Sequence, residues 1–176
     1  EVERVFGCPL LELWGMTELA GPAVTHDRHR RGPVGSIGRP LPGIEARVAP
    51  TEESGDEESG RLGELLIRGP LVMQGYLNRP DATQETIDAD GWLHTGDLAS
   101  EDEEGNLYIV GRTKDIIISA GYNIYPAEVE RAISQHPAVA MVAVGKVDDV
   151  DKGEIAVAYV VLKPDSTALA GEVEQA

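Results

Sequence analysis

From Gly43 to Arg112 the sequence returns repeatedly to one pattern, a short run of alternating apolar and polar residues closed by glycine, proline or acidic residues. Such alternation is the signature of half-buried strands, and runs this short leave room for little but sheet. "GIEARVAP" and "GELLIRGP" read as two strands joined as a hairpin by the acidic "TEESGDEESGRL", and "GWLHTGDLAS" and "NLYIVGR" as a second hairpin around "EDEEG", with Gly105 suited to positive φ. Between the hairpins "NRPDATQETI" predicts a short helix, its proline suited to a first turn. Upstream, "FGCPLLELWGMTE" reads as a short buried strand ending in a polar turn, and "HDRHRRGPVGSIGRPLPG" as irregular chain.

After "GRTK" the architecture changes. Strand "DIIIS", a glycine-containing loop "AGYNIYP", helix "AEVERAISQ" and strands "AVAMVAVG" and "EIAVAYVVL" make a small α+β unit, and the tail "STALAGEVEQA" is at best a weak helix. The fold class is therefore mixed α and β, with a domain over 1–111 followed by a smaller one over 112–176.

A formal charge of −16 repels nucleic acid and anionic membranes at long range, so a phosphate-bearing ligand has to be held by local groups. No apolar run reaches the about 18 residues of a membrane span, and the first residues do not look like a secretory signal; these features suggest the cytoplasm. The single cysteine, Cys8, excludes an internal disulfide and is expected to be buried among apolar neighbours. His26, His29, His94 and His136 lack the spacing of metal ligands.

Three stretches carry candidate chemistry. In "WGMTE", the Thr17 hydroxyl and Glu18 carboxylate stand side by side where a strand turns; a carboxylate suits Mg²⁺ shared with substrate phosphates, and a hydroxyl can donate to a phosphate oxygen. In "HTGD", Asp97 follows a glycine and could accept two hydrogen bonds from a diol such as ribose. Arg112, followed by Lys114 and Asp115, offers a fork of donors where the architecture changes. Taken singly, each stretch serves as well as an exposed turn, a turn cap or a solvated linker.

Together, "LWGMTE", "GELLIRGPLVMQGYLNRPDAT", "GWLHTGDLASEDEEGNLYIVGRTKD" and "SAGYNIYPAEVE", in this order and over the chain to about Leu162, resemble the acyl-adenylate-forming enzymes, above all fatty acyl-CoA and aryl-CoA ligases. The resemblance implies the end of a large AMP-binding domain with a distorted β-barrel subdomain, then a small α+β domain. It implies a two-step reaction using ATP, magnesium and coenzyme A, in which a carboxylic acid becomes acyl-AMP and then a thioester. Motif by motif, Trp14 would stack near the adenine and Ile109 against the base. Thr17 would meet phosphate, Glu18 the Mg²⁺, and Asp97 with Arg112 the ribose. Lys114 falls on the hinge between the domains, Gly121 on the passage for the pantetheine arm, and Leu19, Ala20 and Gly21 on the acyl pocket.

The family's phosphate loop would lie upstream of this chain, and its C-terminal lysine has no match in the context of Lys163. The chain is thus expected to be the C-terminal part of a larger enzyme, inactive by itself, with strand edges open to oligomerisation. A lysine found three residues before the glycine in some relatives is Ile118 here. Lys152 and Glu154 could border CoA or form a solvated turn. A peptide-synthetase adenylation domain, or a noncatalytic domain binding a partner through the acidic stretch Glu52 to Glu58, are the competing readings.

Overall fold

The computed structural model describes residues 2–29, 32–50, 61–164 and 166. The acidic stretch Glu52 to Glu58 and the tail after Ser166 lie outside the described residues. The chain divides into two compact units, Glu1–Ile109 and Val110–Ala176.

The first unit opens with α1 (Val2–Phe6), then β1 (Leu13–Met16), a 3₁₀ turn (Thr17–Leu19), β2 (Gly21–Thr25) and β3 (Arg39–Pro40), which form a sheet in the order β1-β2-β3. β4 (Glu45–Ala49), β5 (Arg61–Arg68), β6 (Leu93–Glu101) and β7 (Leu107–Arg112) form a second sheet in chain order, with α2 (Pro80–Thr86) between β5 and β6. α2 starts on Pro80, which needs no N–H partner at a helix start. The two sheets meet at a seam: Ile37 donates to the Leu107 carbonyl at 2.8 Å and Leu107 to the Gly38 carbonyl at 2.9 Å. Gly38 and Leu107 form an isolated antiparallel bridge there.

Leu19, Ala23, Val24, Leu65, Ile67 and Leu93 are fully buried in one core shared by both sheets. Each of the Val, Leu and Ile side chains contributes about 1.5–3 kcal/mol relative to exposure.

The expectation of a buried first strand is corrected. β1 is an edge strand in which Trp14 and Met16 pack against the core while Leu13, 62% exposed, faces away. Cys8 is likewise exposed, in a stretch where Phe6 and Leu10 are exposed as well.

In the second unit, β8 (Ile117–Ser119), β9 (Tyr122–Ile124), α3 (Pro126–Ser134), β10 (Val139–Asp149) and β11 (Gly153–Leu162) form a sheet ordered β10-β11-β8-β9, with α3 packed on β10. The stretch read as a loop after "DIIIS" is a tight hairpin. Ser119 pairs with Tyr122, and the two residues between them, Ala120 at φ 50° and Gly121 at φ 84°, carry the paired positive φ that two-residue hairpins favour.

Candidate functional site

β1 ends where the sequence demands closeness. A Cβ on Gly15 would run into the Gly21 carbonyl oxygen, so only glycine lets β1 and β2 approach here, and the register shifts between Trp14 and Gly15. The 3₁₀ turn follows, closed by Ala20 at φ 54°, whose N–H donates to the Thr17 carbonyl. This sharp reversal leaves Thr17 exposed and Glu18 half-buried. The Glu18 carboxylate accepts the Tyr76 hydroxyl at 2.7 Å, and its backbone carbonyl accepts the Met73 N–H at 2.8 Å. Donation to Glu18, with burial adding to it, holds the Tyr76 phenol above its ordinary value of 10.0.

Asp97 sits in a bulge of β6. His94 pairs with Leu66 and Leu98 with Glu64, so β6 carries two residues more than β5 over this span. An excess of two keeps the parity of the strand, and Leu93 and Ala99 both reach the same core. The bulge is held at three points. The buried Thr95 hydroxyl donates to the Leu65 carbonyl at 2.7 Å and accepts the Asp97 N–H at 3.1 Å. The Gly96 N–H donates to one oxygen of Glu64 at 3.0 Å, and His94 Nδ1 lies 2.9 Å from the other.

The structure brings Trp14 and Asp97 together: the indole Nε1–H donates to Asp97 Oδ2 at 2.9 Å. Ile109 packs against the same core as Trp14. Of the three residues expected at the acyl pocket, Leu19 is fully buried in that core, Ala20 is exposed and Gly21 partly so. A cleft of about 420 Å³ in this unit, lined among others by His26, Arg39 and Asn106, contains none of the candidate residues.

In the second unit Arg112 is exposed at the end of β7, and Lys114 is exposed in a 3₁₀ turn (Thr113–Asp115). Gly121 is exposed in the β8–β9 hairpin, and a Cβ there would meet nothing within 4 Å. Glu154 is a latch within the sheet: it pairs with Lys146 at 2.8 Å and accepts the Ile118 N–H at 2.9 Å, and these two contacts lower its carboxyl. Lys152 is exposed in the turn before β11.

Sequence reasoning missed Glu64 and Tyr76. The signal for Glu64 was a carboxylate directly before the apolar run Leu65 to Ile67; for Tyr76 it was an aromatic after Gly75 in a turn-rich stretch.

No group of three or more His, Cys, Asp or Glu able to hold a metal is present among the described residues. Glu18 is a single hard oxygen donor, which fits Mg²⁺ held by one or two carboxylates together with substrate phosphates.

Two family models match, "AMP-binding enzyme" over residues 1–77 and "AMP-binding enzyme C-terminal domain" over 128–176. The long-chain-fatty-acid–CoA ligase of Bacillus subtilis (strain 168) is 44% identical over 180 residues, 98% of this chain and 30% of that protein. The o-succinylbenzoate CoA synthetase of Bacillus subtilis, solved with its acyl-adenylate intermediate, superposes with a TM-score of 0.82 at 38% identity, covering 99% of this chain and 35% of that one. The same synthetase solved with ATP and a magnesium ion gives a TM-score of 0.81 at 38% identity, over 98% and 35%. The chain thus spans about a third of the length of the relatives it matches. With matches at both ends, in the same order as the sequence motifs between them and on the same fold, the chain belongs to the AMP-binding enzyme family.

Proposed function

We propose that this chain supplies the ribose- and phosphate-facing residues of an ATP-dependent acyl-CoA ligase acting on a carboxylic acid with an apolar tail, working in the cytoplasm where ATP and coenzyme A are at hand. The observation that carries the reading is the Asp97 carboxylate, set on a bulge fixed by Thr95 and Glu64 and hydrogen-bonded to Trp14.

In the first step a carboxylate oxygen of the acid attacks the α-phosphorus of ATP, and the bond to pyrophosphate breaks. In the second, the sulfur of coenzyme A attacks the acyl carbonyl, its proton is lost, and AMP leaves. Charge gathers on the phosphate oxygens in the first transition state, so the protein's part is positioning and fixed donors. Asp97 accepts the ribose hydroxyls, with Arg112 as a second ribose contact. Trp14 and Ile109 offer apolar surface to the base, and Trp14 is kept in orientation by its bond to Asp97. The Thr17 hydroxyl donates to phosphate. Glu18 would hold Mg²⁺, which neutralises phosphate charge when bound; Tyr76 keeps that carboxylate in place. Leu19, Ala20 and Gly21 follow the motif on the acyl side, Leu19 from within the core. Lys114 lies at the turn that absorbs a domain rotation, and Gly121 leaves room for the pantetheine arm because it has no side chain.

Calorimetric titration of the chain with AMP tests the reading. Asp97→Ala is expected to weaken AMP binding about 10- to 100-fold, the range for hydrogen bonds to a charged group. Equal affinity in the two proteins would remove Asp97 from the site.

A further inference from the structure

We propose that Glu64 is a positioning residue that sets the Asp97 carboxylate by clamping the β6 bulge through the Gly96 N–H. The proposal rests on the reading of Asp97 as the ribose contact, but the geometry beneath it stands without a nucleotide.

Glu64 lies on β5, and its side chain is only 17% exposed. A carboxylate so placed needs partners. It has one on each oxygen: Oε1 accepts the Gly96 N–H at 3.0 Å and Oε2 faces His94 Nδ1 at 2.9 Å. A carboxylate only accepts, so His94 carries its hydrogen on Nδ1, while Nε2 lies 3.9 Å from Asp88 Oδ2. Both groups held by Glu64 belong to the bulge, one on each side of Thr95. Ladder bonding is interrupted there, because the register shifts between Glu64 and Leu66. Glu64 therefore replaces a missing stretch of ladder with a side chain, and Asp97 is the residue next to Gly96.

Thr95 fixes the backbone N–H of Asp97 from inside the core, and Trp14 meets its carboxylate from β1. Removing Glu64 frees the outer side of the bulge, and the carboxylate loses its fixed distance to the Trp14 indole.

The indole is the probe. The chain has two tryptophans, Trp14 and Trp92, so an ¹⁵N spectrum shows two indole N–H signals, and Trp92→Phe assigns them. Hydrogen exchange of the Trp14 Nε1–H is measured without nucleotide. Glu64→Ala is expected to speed this exchange at least about tenfold. Glu64→Gln keeps a carbonyl oxygen for Gly96 and turns its amide toward His94, which can shift its hydrogen to Nε2; exchange should stay within about twofold of the unaltered chain. Unchanged exchange in a folded Glu64→Ala chain overturns the proposal, as does a loss in Glu64→Gln equal to that in Glu64→Ala. If Glu64→Ala does not fold, the unaltered chain decides: the Gly96 N–H and the Trp14 Nε1–H should exchange through the same opening, and openings that differ more than about tenfold overturn the clamp. An AMP titration of the same proteins separates the two claims, since a clamp seen in the indole with no response to AMP refutes the ribose reading alone.

Discussion

The two units place their candidate residues differently. In Glu1–Ile109, Trp14 and Asp97 are tied to each other and Asp97 is tied through Thr95 to a core whose largest side chains are fully buried. In Val110–Ala176 the buried apolar residues are Ile116, Ile117 and Val139 among those described, and the β10–β11 hairpin exposes Met141, Val147, Tyr159 and Val161. Its candidates Lys114 and Gly121 sit in exposed turns. The first unit holds side chains still with packing and hydrogen bonds; the second offers backbone geometry. A residue that must meet a ligand at a fixed distance gains from the first arrangement, and one that must bend or leave room gains from the second.

The largest expected effect tests that contrast directly. Leu65→Ala, at a fully buried position, should cost about 2–5 kcal/mol, read from denaturant unfolding by tryptophan fluorescence, since both tryptophans lie in the first unit. Met141→Ala, 66% exposed, should stay within about 0.5 kcal/mol by hydrogen exchange of the β10–β11 amides. A cost at Met141 close to that at Leu65 would mean that the face carrying Met141 and Tyr159 is covered in solution.

Next come two glycines that are glycine for different reasons. Gly15→Ala drives a Cβ into the Gly21 carbonyl oxygen and should cost about 1–3 kcal/mol, moving the Trp14 indole signal with it. Gly121→Ala meets open space and carries only the cost of positive φ, about 1–2 kcal/mol, confined to the β8–β9 hairpin. A cost for Gly121→Ala well above that range would mean that its Cβ does not meet open space.

The same contrast explains what could be read from the sequence. Alternation gave β4 and β5, the proline gave α2, and Gly105, at φ 80°, gave the turn before β7, because each is a local preference that the core does not oppose. β1 was read as buried because its residues are apolar; in the fold they alternate between exposed and half-buried, which depends on the side from which the core is built and not on the run itself. The β8–β9 hairpin was read as a loop because Ala120 is a poor residue for φ 50°. Among the candidates, Glu18 was visible as a carboxylate where a strand turns and Asp97 as a carboxylate after a glycine. Their supports were not, since Glu64 meets Gly96 and Tyr76 meets Glu18 across separations of 32 and 58 residues.

The smallest effect concerns two acidic turns, one in each unit. Asp102 accepts the N–H groups of Glu104 and Asn106, the Asn106 side-chain amide and the Tyr108 hydroxyl, at 2.8–3.0 Å. The Asn106 side chain, followed by the other donors, holds its carboxyl below the ordinary 3.8 despite some opposing burial. A carboxyl lowered on folding stabilises the fold above its unfolded value, and that contribution fades as the pH falls through the lower folded value. Asp149 accepts only the N–H groups of Asp151 and Lys152 among the bonds described for it. Denaturant unfolding between about pH 2 and 5 should therefore lose part of its acid slope in Asp102→Asn, with the change confined to the first unit. An unchanged slope in Asp102→Asn would assign the acid sensitivity of that unit to its other carboxylates and leave the Asp102 turn a matter of backbone geometry.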